Sequence, residues 1–282
     1  MAKRLKYSGQ GKAPSTLLRH VQNMYDQEIS QNPRLVVKPF EECKNTVYLF
    51  KKENGKGIKN IFNLLRLDKR ITYVIMLSGS NFFVTSRKDD LNFENLGLEI
   101  IEKSTLFTPI YTVPKGWNKP MNTAIENLCR LDFKKGLLPR TLNKGFSWDS
   151  LDWNIYNVMR ANIRLKFSVV TRKSESCYNT VKNRFFKKIL PSCIVAHYFY
   201  PKGLPHYQQL HLLMKTDYEK DLVNALEVLP CTSYAFPLEK SLFVVLFHEE
   251  TDKTLDVVQK LEERAILDDY LLFNPLMYDM PD

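Results

Sequence analysis

Between Cys177 and Ile189 the chain reads CYNTVKNRFFKKI, with Val181, Phe185 and Ile189 recurring at spacings of four. A helix of that period buries these three and turns Asn179, Thr180, Lys182, Asn183, Arg184, Lys187 and Lys188 outward. The chemistry such a face offers is recognition of a polyanion. Lysines and arginines neutralise phosphates, and short amides and a hydroxyl reach base edges. Arg172 and Lys173 lie just upstream and extend the same charge. Over 151–190 nine basic residues stand against Asp152 and Glu175 alone, an excess suited to nucleic acid. A solvated helix face has the same composition, so the charge needs its structural setting to carry meaning. Arg184 also has a second reading, an ion pair within its own domain.

Two further helices precede this one. The first places Leu151, Ile155, Val158 and Met159 on one face. The second is short, with Phe167, Val169 and Val170 apolar, and a Ser174-Glu175-Ser176 break separates it from the third. Three helices ending in a basic amphipathic one match a helix-turn-helix whose last helix enters the major groove. Cys177 is a poor residue to cap that helix, so Ser176 is expected to do so. Ile194–Phe199 and the Pro201-Lys202-Gly203 turn read as a wing.

The rest of the chain holds less reactive chemistry. Net charge is +10 over 282 residues, with 44% hydrophobic and 26% charged residues, a globular balance. No apolar run approaches the ~18 residues of a membrane helix. The charged opening MAKRLKYSGQGK has no apolar segment, so no secretory signal is expected. The segment GQGKAPST lacks the glycine spacing of a phosphate loop. Five scattered cysteines form no C-x-x-C or C-x-x-H pair, so neither a zinc site nor a disulfide framework is expected. No metal and no cofactor is expected, and the expected location is a reducing cytoplasm, at the nucleoid. Residues 1–13 read as a basic arm, and Lys3, Arg4, Lys6 and Arg19 are candidates for a second DNA contact.

Alternation of elements defines the remaining domains. Strand Thr46–Lys51, helix Gly55–Leu67, strands Ile71–Leu77 and Phe82–Ser86, helix Asn95–Lys103 and strand Leu106–Val113 spell βαββαβ, the ferredoxin-like sandwich. The turn Ser78-Gly79-Ser80-Asn81 joins the two middle strands as a hairpin. A second βαββαβ follows: strand Tyr207–Met214, helix Tyr218–Leu229, strands Thr232–Pro237 and Leu242–His248, helix Thr254–Ile266 and strand Tyr270–Phe273. The expected fold class is α+β, a winged helix-turn-helix plus two ferredoxin-like sandwiches. Domain bounds fall at 1–42 (basic arm, helix and a wing-like remnant), 43–117 (first sandwich), 118–147 (helical linker, with a helix over Asn122–Phe133), 148–204 (winged helix-turn-helix) and 205–282 (second sandwich). The first copy has two readings upstream. Ser15–Val21 and the strand in RLVVKPF are either a remnant of a recognition-type helix and wing, or a plain helix packed on the first sandwich.

A winged helix-turn-helix leading directly into a βαββαβ domain resembles the Lrp/AsnC family of feast/famine transcription regulators. The residues that carry the likeness are Leu151-Asp152-Trp153-Asn154-Ile155, Ala161-Asn162-Ile163-Arg164-Leu165, Asn179-Thr180-Val181 and Arg184. It spans about 148–275, and over 43–117 the sandwich alone. The resemblance implies sequence-specific binding of double-stranded DNA without enzymatic activity, homodimers or higher oligomers formed through the sandwich sheets, and a small effector such as an amino acid. In that family the effector region includes a glycine-containing turn, which Ser78, Gly79, Ser80 and Asn81 match and Leu238–Ser241 does not. Two other readings share the architecture. A nonspecific architectural binder would use the same residues. Sirohaem decarboxylases resemble the same arrangement as paired or fused units, and His197, His206 and His211 would then face a haem-type substrate.

Overall fold

A computed structural model describes residues 14–53 and 55–279. In chain order it contains α1 (Pro14–Asp26), β1 (Arg34–Val37), β2 (Thr46–Lys52), α2 (Ile58–Leu67), β3 (Ile71–Leu77), β4 (Asn81–Ser86), β5 (Leu98–Thr105), β6 (Ile110–Tyr111) and α3 (Met121–Cys129). There follow α4 (Ser150–Met159), α5 (Phe167–Lys173), α6 (Tyr178–Arg184), β7 (Cys193–Ala196), β8 (Gln208–Lys215), α7 (Glu219–Ala225), β9 (Tyr234–Pro237), β10 (Leu242–His248), α8 (Thr251–Glu263), β11 (Asp269–Phe273) and β12 (Pro275–Asp279). Among the described residues no helix is long and apolar enough to cross a membrane.

Both ferredoxin-like sheets form. The first has the strand order β3-β4-β2-β5 and the second β11-β8-β10-β9, every neighbour antiparallel. Strand β2 shows why the run TVYLF is apolar without alternation. Tyr48 and Phe50 pack toward α2, whereas Val47 and Leu49 join the core shared with the second sheet. A strand covered on both faces needs hydrophobic residues at every position.

The two sheets meet face to face. Phe83 of β4 stacks on Phe243 of β10 with ring centroids 4.4 Å apart and planes at 22°. Leu49, Ile75 and Leu77 lie in one continuous core with Leu213, Val245 and Phe273. The duplicated halves thus pair within one chain, and the inner faces of both sheets are covered by this internal pairing. Each half also donates a strand to the other. The two-residue β6 leaves the first sandwich and adds to β9 in the second sheet. The final strand β12 leaves the second sandwich and adds to β3 in the first.

This exchange overturns two sequence expectations. Asn95–Lys103 is not a helix. A single tight turn over Glu94–Leu96 ends at Gly97, whose φ of 71° is left-handed, and β5 begins at once. Glycine adopts that conformation without a Cβ clash, and Ile100 and Ile101 then favour a strand on the edge of β2. Leu106–Val113 does not return to the first sheet either. Pro109 lacks the N–H that a ladder requires. The segment runs along the second sheet, Phe107 N donating to Pro237 O and Thr112 N to Ser233 O. The first sandwich therefore has one helix. The linker helix α3, expected to reach Phe133, ends at Cys129 and packs beside α8 on the second sandwich.

Upstream, β1 pairs with β7 in an antiparallel ribbon, Arg34 opposite Ala196 and Val37 opposite Cys193. The strand in RLVVKPF is therefore the partner of β7, the strand expected to form a wing. The chain between α1 and β1 follows Tyr198–Leu204, with Tyr200 N donating to Ile29 O and Leu204 N to Glu28 O. Gly203 (φ 87°) permits this approach, since a Cβ there would stand 2.6 Å from Gln27 O. Replacing Phe243 by Ala should remove the centre of the inter-sheet core and lower unfolding free energy by about 3–5 kcal/mol. Urea denaturation followed by circular dichroism measures this, and an unchanged midpoint would contradict the packing described.

Candidate nucleic-acid interface

Helices α4, α5 and α6 enclose a small core of Ile155, Met159, Val170, Val181, Phe185 and Ile189, closed below by Leu35 and Cys193 of the β1–β7 ribbon. The three residues predicted to face inward from the last helix do so. That helix continues beyond α6 as a π-turn over Phe185–Ile189, where Leu190 N donates to Phe185 O at 2.8 Å.

An electrostatic clamp fixes the last helix against the first. Asp149 caps α4 by accepting from Asp152 N at 3.0 Å, and Asp152 accepts from Asp149 N at 3.2 Å. Asp152 is fully buried. Its charge is met by Arg184, whose Nη1 lies 2.9 Å from Asp152 Oδ1 and 2.7 Å from Asp149 Oδ1, and by Lys188 Nζ at 3.2 Å. A buried carboxylate requires such partners. The hydrogen bond from Arg184 is the main cause that brings the Asp149 carboxyl down to about 2. Arg184 and Lys188 are thus engaged within the domain, the second reading that the sequence left open for Arg184.

What remains outside forms one stripe. Asn179, Lys182, Asn183, Phe186 and Lys187 are all exposed, and their spacing of three and four places them along a single face. Among the described residues, Lys182 and Lys187 have no carboxylate partner, and neither do exposed Arg172 and Lys173 at the end of α5. Thr180 is less available, half-buried with its hydroxyl 2.9 Å from Cys177 Sγ. No side chain caps α6, so the expected role of Ser176 is not seen; the Ser176 amide itself is held by Thr171 O. Phe186, 49% exposed and lying against Phe167, was not singled out from the sequence. Its signal is an aromatic one residue off the buried period. Asp149 was likewise passed over, although D-x-x-D before an apolar helix is a capping pattern.

The other candidates separate from this stripe. Arg19 is exposed on α1, whereas Lys3, Arg4 and Lys6 lie outside the described residues. The turn Ser78–Asn81 is tight, with Gly79 and Ser80 both at positive φ. Its polar groups are engaged: Asn81 Nδ2 donates to Ser78 O, Ser78 N to Asn274 O, and Asn274 N to Ser78 Oγ. The histidines do not converge. His211 is buried between the sheets, edge-on to Phe243 at 5.5 Å, and burial pulls its pKa to about 4. His197 Nε2 lies 2.8 Å from Ser30 Oγ, and His206 is exposed. A cavity of about 50 Å³ beneath α3 and α8 and a cleft of about 380 Å³ beside β5 include none of these three. All five cysteines are free.

No protein-family model matches the chain, and no curated protein matches it. Two solved structures are similar to it, both crystal structures of the siroheme decarboxylase NirDL. One has a TM-score of 0.49 at 9% identity. The other, in co-complex with an iron-uroporphyrin III analogue, has a TM-score of 0.51 at 8% identity. Each comparison covers 94% of this chain and 81% of the other. The second match shows a shared α+β fold.

The clamp and the stripe differ in what mutation should do. Arg184→Ala leaves buried Asp152 short of a partner and should cost about 1–3 kcal/mol, while Lys182→Ala and Lys187→Ala should stay within about 0.5 kcal/mol of the parent. Because the folded-state pKa of Asp149 is depressed, its contribution is complete above the ordinary carboxyl range and is lost as pH falls through about 2. Asp149→Asn should flatten that acid limb in denaturation measured across pH 2 to 6. An unaltered limb would remove Asp149 from the clamp's energetics.

Proposed function

We propose that the chain is a DNA-binding transcription regulator of the Lrp/AsnC type, with α6 and its π-turn as the recognition helix of a winged helix-turn-helix. The observation that carries this reading is the unpartnered stripe of Asn179, Lys182, Asn183 and Lys187 beside Arg172 and Lys173. Cations left without internal carboxylates on one face favour an external polyanion. In this reading Lys182, Lys187, Arg172 and Lys173 meet phosphates and set register, and Asn179 and Asn183 reach base edges. Arg184 and Lys188 are positioning residues that hold the helix to α4, not contacts to DNA. The described residues carry one such helix, so a two-fold operator would call for a second copy. That copy would join through a surface other than the inner sheet faces. Arg19 remains a candidate second DNA contact, and the Ser78–Asn81 turn a candidate effector element once its bonds to Asn274 are released.

A nonspecific architectural role uses the same stripe and differs in sequence preference. The decarboxylase reading has less support from geometry, since His211 is enclosed between the sheets and His197 and His206 do not share a cavity with it.

Fluorescence anisotropy on the chain's own upstream region and on scrambled DNA, over a salt series, tests these readings. The expected result is tighter binding to the upstream fragment with a steep salt dependence. Lys182→Ala and Lys187→Ala should each lower affinity and reduce the logarithmic salt slope by about one. Equal affinity for both fragments would favour the architectural role. No binding at low salt would defeat both DNA readings, and absorbance titration with an iron-uroporphyrin would then be the measurement to make.

A further inference from the structure

The gap between the two sheets is filled by hydrocarbon at its centre and by tyrosines at one end. Tyr111 of β6 pairs directly with Tyr234 of β9. Tyr234 also lies opposite Val245, an inner-face residue. On the facing sheet Tyr278 of β12 lies opposite Ile75, and Tyr73 stands two residues from Ile75 on the same inner face of β3. The strands that carry Tyr111 and Tyr278 are the two exchanged between the halves, so the cluster lies where both crossovers land. Tyr198, two residues beyond β7, packs against Tyr111 and Tyr234. The rings of Tyr111, Tyr198 and Tyr234 close a triangle with centroids 5.6 to 5.7 Å apart. Tyr73, Tyr111, Tyr198 and Tyr234 are half-buried, and Tyr278 is 66% exposed. This end of the gap reaches solvent.

Arg34 faces the cluster. Arg34 lies opposite Ala196 in the β1–β7 ribbon, and Tyr198 is the next residue on that face of the strand. The charge of Arg34 is close enough to favour the phenolates of Tyr111, Tyr198 and Tyr200 against the burial that pushes them up. Among the described residues Arg34 is half-buried and has neither an ion pair nor a hydrogen bond from its side chain. A half-buried guanidinium without a counter-ion offers a planar fork for an anion. Tyrosines around it supply rings for edge and face contacts, with hydroxyls at their rims.

We propose that this open end of the inter-sheet gap binds a planar aromatic carboxylate, the carboxylate on Arg34 and the ring among Tyr73, Tyr111, Tyr198 and Tyr234. Among the described residues no ion pair brings a carboxylate to Arg34, so an amino acid's ammonium would have no ion-pair partner beside it. The rings disfavour a bare inorganic anion. The site does not rest on the DNA reading and is measured without DNA.

Isothermal titration of the full chain with benzoate and 4-hydroxybenzoate is the test, against benzyl alcohol, inorganic phosphate and L-phenylalanine. Saturable binding of the two carboxylates, at least tenfold tighter than any of the three controls, is expected. Arg34→Gln should weaken benzoate at least tenfold while leaving the ligand-free melting temperature near that of the parent. In the unmutated chain, the Arg34 Nε resonance should move on saturation with benzoate. That readout stands even where the substitution disturbs folding. The proposal fails if neither carboxylate saturates, if a control binds equally well, if Arg34→Gln binds like the parent, or if the Arg34 resonance stays in place.

Discussion

The face-to-face packing of two antiparallel sheets is the constraint on which the rest of this structure depends. Stacking Phe83 on Phe243 removes the largest apolar faces of both sandwiches from water in a single contact. Area burial of this kind is the main driving force available to a chain with only short helices. Once the sheets are apposed, Tyr111 and Tyr278 are carried to the end of the gap on their exchanged strands. The β1–β7 ribbon then spans the two halves and supports the three helices from below, through Leu35 and Cys193. The three-helix unit and the tyrosine cluster are thus attached to the same frame, one on each side of the ribbon.

Charge is used in two ways within the three-helix unit. Asp152 is enclosed completely and must be compensated, so Arg184 and Lys188 are held inward. Lys182, two residues before Arg184, and Lys187, one residue before Lys188, are left to the solvent. A helix of uniform basic appearance in the sequence therefore contains an internal brace and an external surface, distinguished by which face meets α4. Breaking the brace would act on the helix without touching an outward residue, so the two sets need separate readouts.

The second sandwich was legible in the sequence because its strands and helices are separated by clear turns and carry distinct periods. The inward residues Val181, Phe185 and Ile189 were legible for the same reason. The first sandwich was less so. NLGLEIIEK satisfies a helical spacing, and only the pairing demand of the β2 edge, together with left-handed Gly97, decides for a strand. The destinations of β6 and β12 were not legible at all, since nothing local in Ile110-Tyr111 or Pro275–Asp279 states which sheet they join. Arg184 was ambiguous because its partner Asp149 lies 35 residues upstream. Tertiary pairing, and not local propensity, settles each of these points.

The crossing of β6 and β12 also has a temporal consequence. The first sheet acquires its outer strand from a segment far downstream in the sequence, so β3 remains an open edge until β12 has been synthesised. An open edge of that kind is a template for wrong pairing, and long-range closure is slow. The N-terminal half therefore waits for the C-terminal half, and the finished molecule is interlaced. Neither sandwich can leave the other without first surrendering a strand, so separation of the halves is coupled to unfolding at both edges.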